Sequence, residues 1–118
     1  EILLGLSASK RTVKSTYLEG QKEFFDYMNA QGTGTTSYSS VIKKINNARV
    51  LIVHEERPTS YCSFYIYATN TNNSKRATIG IDYKLSDKAE AQKIADSILA
   101  NLRFEEAPLR PRGPARSN

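Results

Sequence analysis

The chain has 118 residues, of which 39% are apolar and 25% charged, with a formal net charge of +5. That composition excludes wholesale disorder, and no apolar run approaches the ~20 residues that a membrane-spanning helix needs. Residues 107–118 hold Arg110, Arg112 and Arg116 and no acid, so only +2 of the +5 belongs to residues 1–106. The body is close to charge balance, which argues against nucleic acid as its partner.

Taken in order, Ile2–Ser9 is short and apolar and reads as a strand. A polar stretch from Lys10 to Ser15 follows. Thr16 and Glu19 have capping-box spacing, and Phe24, Phe25 and Met28 recur at helical intervals, so a first helix is expected over Tyr17–Ala30. Gln31 to Ser40, rich in Gly, Thr and Ser, reads as an exposed loop. Its Gly32-Thr33-Gly34-Thr35-Thr36 lacks the lysine and context of a phosphate-cradling loop.

Val41–Ile45 leads to Asn46-Asn47, a plausible two-residue turn because Asn tolerates positive φ. Ala48–His54 contains the unbroken apolar, largely β-branched run Val50–Val53, as a strand buried on both faces requires. After Arg57–Ser60, the stretch Tyr61–Ala68 alternates. Cys62, Phe64, Ile66 and Ala68 share one face, with Tyr61, Ser63, Tyr65 and Tyr67 on the other. Thr69–Lys75 is a polar hairpin tip. Beyond it Ile79, Ile81 and Tyr83 share a face, and Asp87 with Glu90 has capping-box spacing. Ala91, Ile94, Ala95, Ile98, Leu99 and Leu102 then form one stripe at helical period, so a second helix is expected over Asp87–Leu102.

The expected architecture is α+β: a meander of three or four antiparallel strands packed by two amphipathic helices, one domain over residues 1–106. Residues 107–118 carry proline at 108, 111 and 114, which favours an extended tail. The tail reads either as a docking peptide with Arg110, Arg112 and Arg116 as anchors or as a passive terminus.

Candidate chemistry is sparse. Cys62 is the single cysteine and lies in an apolar strand, as a buried inert thiol would. His54 shares a strand face with Glu56, the pairing a general base could use, but spacing assigns no nucleophile to it. One His, one Cys and scattered carboxylates never reach zinc-ligand spacing, and no metal or other cofactor is implied. The tyrosine face of Tyr61, Tyr65 and Tyr67 could stack bases or contact a protein. The competing reading is that it packs beneath a helix with its hydroxyls toward solvent.

Ile79-Gly80-Ile81-Asp82-Tyr83 followed by Ser86-Asp87-Lys88-Ala89-Glu90-Ala91, with the closing Ser97–Phe104, resembles the PsbP-like fold family, which includes photosystem extrinsic subunits and envelope proteins of the DcrB type. The resemblance spans Thr16 to Phe104. It differs at the front, where such domains open with an additional hairpin. It implies a small accessory module that binds other proteins at a membrane face or in an exported compartment, without chemistry of its own. The start at Glu1, without methionine, fits either a removed targeting segment, as in an exported or organelle-lumen protein, or equally a piece cut from a longer protein.

The leading expectation is therefore a non-enzymatic protein-binding subunit of a larger, membrane-associated assembly in the cell envelope or an organelle lumen. Two alternatives remain open: a nucleic-acid-binding protein or nuclease toxin using His54 and Glu56, and a small-ligand carrier.

Overall fold

A computed structural model describes residues 1–32 and 36–105. Its elements are β1 (Ile2–Ser9), α1 (Tyr17–Gln31), β2 (Ser37–Ile45), β3 (Ala48–Glu56), β4 (Tyr61–Asn70), β5 (Arg76–Lys84) and α2 (Lys88–Asn101), with a 3-10 turn at Leu85–Asp87. The strands form one antiparallel sheet in the order β1-β5-β4-β3-β2. The fold is thus α+β, with the meander confined to β2–β5. β1 joins it from the other end of the sheet by a long-range pairing with β5.

The strand alternation feeds two separate cores. On one face Val50, Cys62, Phe64, Ile66, Ile79, Ile81 and Tyr83 are buried with Ala91 and Ala95 of α2. On the other, Leu51 and Val53 pack with Leu18 and Phe25 of α1. β3 contributes to both, which explains its unbroken apolar run. The α2 stripe is the expected one: Ala91 and Ala95 are fully covered, and Ile94, Ile98, Leu99 and Leu102 pack around them. Small residues at the centre let the helix approach the sheet closely.

Three local expectations change. Ser37–Ser40 belong to β2 rather than to the loop, because pairing with Glu56–Val53 overrides their weak strand preference. β4 runs on to Asn70, which shortens the hairpin tip. There the Asn70 side chain organises the turn, accepting from the backbone N–H groups of Ser74 (2.9 Å) and Lys75 (3.0 Å).

Neither capping box forms. Thr16 and Asp87 stand at the N-caps without a side-chain cap hydrogen bond. Glu19 instead accepts from the Arg49 guanidinium, which holds its carboxyl below the usual range. Asp87 turns to the amino group of Glu1. The turn between β2 and β3 does use Asn46-Asn47, with Asn46 at φ 54°.

Candidate functional site

The tyrosines divide. Tyr65 and Tyr67 lie half-buried beneath α1, with their ring centroids 6.1 Å and 6.0 Å from that of Phe25. Burial raises the pKa of both phenols. Tyr61 stands apart at the other end of β4, with Lys84 5.9 Å from its ring centroid, and lines an open groove with Pro58, Ser60 and Leu85. The strand therefore does not present a continuous aromatic platform. Arg110, Arg112 and Arg116 lie outside the described residues, as does the centre of the glycine-rich loop.

His54 projects from the opposite face, among the α2-side core. Its ring stacks on Phe64 at 4.3 Å and 11°, and its Nε2 is in hydrogen-bond contact with the Tyr83 hydroxyl. Tyr83 is fully buried, and burial pushes its phenol far above the ordinary range. Burial also lowers the His54 pKa. The Glu56 charge opposes that shift, and Lys88 adds to it. Glu56 itself accepts from Lys88 Nζ at 3.1 Å. A neutral imidazole held against a buried phenol, with its carboxylate neighbour already paired, is a packed polar cluster.

Cys62 is buried beside this cluster and in hydrogen-bond contact with Arg57 N at 3.3 Å. Among the described residues no group of three or more His, Cys, Asp and Glu side chains could hold a metal ion.

Two surface features escape a residue-by-residue reading. The first is β1. Leu4 and Leu6 register with Ile81 and Ile79 on the α2 face, and Leu3 lies on the α1 face beside Asp82. Neither helix covers them: Leu3, Leu4 and Leu6 are 47%, 62% and 76% exposed. Leu4, Gly5 and Leu6 line an apolar groove of about 270 Å3 with Ile79 and Ile98. Every second N–H and C=O of this strand also points away from β5, with no further strand beside it among the described residues.

The far edge of the sheet differs. There β2 carries exposed Lys43 and Lys44, charges that discourage edge pairing. The signal was present in the sequence, since Ile2–Ser9 contains no charge and no proline. It acquires meaning only once β1 is known to be an edge.

The second feature is a basic groove of about 460 Å3 where the β1–α1 loop meets the start of β5, lined by Arg11, Lys14, Tyr17 and Arg76. It lies beside a smaller groove of about 360 Å3 lined by Lys10, Lys75 and Glu105, which shares Arg76. No helix of the described residues is long and apolar enough to cross a membrane.

No family model, no curated protein and no solved structure matches this chain, so its structural assignment rests on its own geometry: a five-stranded antiparallel α+β sheet packed by two helices.

Proposed function

We propose that this chain is a non-enzymatic protein-binding module that takes up an extended segment of its partner at the free edge of β1. The observation that carries the reading is the exposure of Leu3, Leu4 and Leu6 on a strand with no further strand beside it among the described residues. Strand addition supplies main-chain hydrogen bonds, while alternate side chains fill grooves such as the one beside Ile98. The contrast with the lysine-guarded β2 edge supports it, because an edge left apolar without protection invites pairing.

In this reading the module is an accessory subunit working outside the cytoplasm in a membrane-associated assembly, as the PsbP-like resemblance implies. The arginines of residues 107–118 provide a further contact. The nuclease alternative draws no support from the geometry, because His54 and Glu56 are each engaged by neighbours, Tyr83 and Lys88.

The test is affinity capture with wild-type, Leu4→Lys/Leu6→Lys and tail-deleted baits, followed by mass spectrometry. A stoichiometric partner held by the wild type and lost with the double lysine variant is the expected result. Equal retention by all baits refutes the edge as the binding surface. Cleavage of RNA or DNA that His54→Ala abolishes would restore the nuclease reading.

A further inference from the structure

We propose that the basic end of the sheet binds the phosphodiester backbone of a nucleic-acid strand, at a site that meets β1 only at its last residues, Ala8 and Ser9, beyond the exposed Leu3–Leu6 stretch. Five cations converge there from two segments distant in sequence. Lys10, Arg11 and Lys14 come from the β1–α1 loop, and Lys75 and Arg76 from the start of β5. The two segments are tied together: Val13 N–H donates to the Asn73 carbonyl at 2.8 Å. The Arg76 guanidinium lies over the Tyr17 ring, 5.6 Å from its centroid, which limits the positions it samples.

None of the five cations forms an ion pair among the described residues, whose salt bridges all involve other groups. Among the described residues Glu105 is the single acidic side chain lining the two grooves. Because residues 1–106 carry only +2 in total, this end holds a local excess that the rest of the body offsets.

Lys75 Nζ donates to the Glu105 carbonyl at 2.7 Å, which holds it at the rim of the smaller groove.

Its chemistry fits phosphate. Arg11 and Arg76 offer forked donors and Lys14 a point charge, and Thr12 and Thr16 add hydroxyls along the groove. Both grooves are shallow and open, which suits an extended strand laid across them rather than an enclosed small ligand.

The experiment is fluorescence anisotropy with a labelled single-stranded oligodeoxythymidine and the full chain, titrated across salt. Contact with three or more phosphates predicts a log–log salt slope of about −2 or steeper, a loss of at least roughly tenfold in affinity between 50 and 200 mM. Arg11→Gln/Lys14→Gln changes only exposed loop positions. It is expected to leave the melting temperature in place, weaken binding by about tenfold at low salt and flatten the slope. Three outcomes overturn the proposal. They are no binding at low salt, unchanged affinity in the loop variant, and binding to vesicles of phosphatidylserine and phosphatidylcholine but not to the oligonucleotide.

Discussion

The Tyr65 hydroxyl on β4 donates to Glu55 Oε1 on β3 at 3.1 Å, and the carboxylate is almost wholly buried, 4% exposed. Tyr38 on β2 donates to Oε2 at 3.1 Å, and Arg57 forms an ion pair with the same group. One carboxylate thus ties together three adjacent strands and the start of the β3–β4 turn.

Removing that carboxylate leaves two hydroxyls and a guanidinium without their acceptor. Glu55→Ala is expected to lower unfolding free energy by about 2–3 kcal/mol, with Glu55→Gln costing less because the amide oxygen still accepts. Urea unfolding of the three proteins decides it. A shift in midpoint no larger than that of an exposed substitution would show that the cluster adds little.

His54 makes stability depend on pH. Its folded pKa is depressed below the model-peptide value of 6.5, chiefly by burial, so the unfolded chain binds more protons in that region. Stability is full above about pH 6.5 and falls as the pH drops below it. The melting temperature is therefore expected to decline from pH 7.5 towards 5.5, before carboxylates titrate. His54→Phe, which keeps the stack on Phe64, should flatten that decline. A wild-type profile level across this window contradicts the assignment.

Thr69 is fully buried, and its hydroxyl finds no hydrogen-bond partner among the described residues. Thr69→Val keeps the shape and the strand preference while removing a desolvated polar group, so it is expected to stabilise the fold by about 1 kcal/mol. Thermal and urea melts read this directly. Destabilisation would mean that the hydroxyl has a partner in solution.

Much of this fold is legible along the chain, because helical and strand periods are local properties. Ile94, Ile98 and Leu102 lie on one side of any α-helix, and Ile79, Ile81 and Tyr83 on one side of any strand. The same periodicity separated the two faces of β4 correctly. The N-caps were less legible. Thr16 and Asp87 have suitable side chains, but Glu19 and Asp87 found charged partners elsewhere, Arg49 and the Glu1 amino group.

By itself, then, the sequence determined most of the elements, the buried faces of β4, β5 and α2, the Asn46 turn and the burial of Cys62, but not the face of α1, where Leu18 and Phe25 are buried and Phe24 and Met28 exposed. Tertiary structure alone decided which strand became an edge, and so whether Leu4 and Leu6 are core or surface. It also decided that Ser37–Ser40 pair as strand, that His54 rests against Tyr83, and that Lys10, Arg11, Lys14, Lys75 and Arg76 share one corner. The physical reason is the same in each case. Periodicity assigns a residue to a face of its own element, whereas exposure and charge density depend on which distant segment packs against that face.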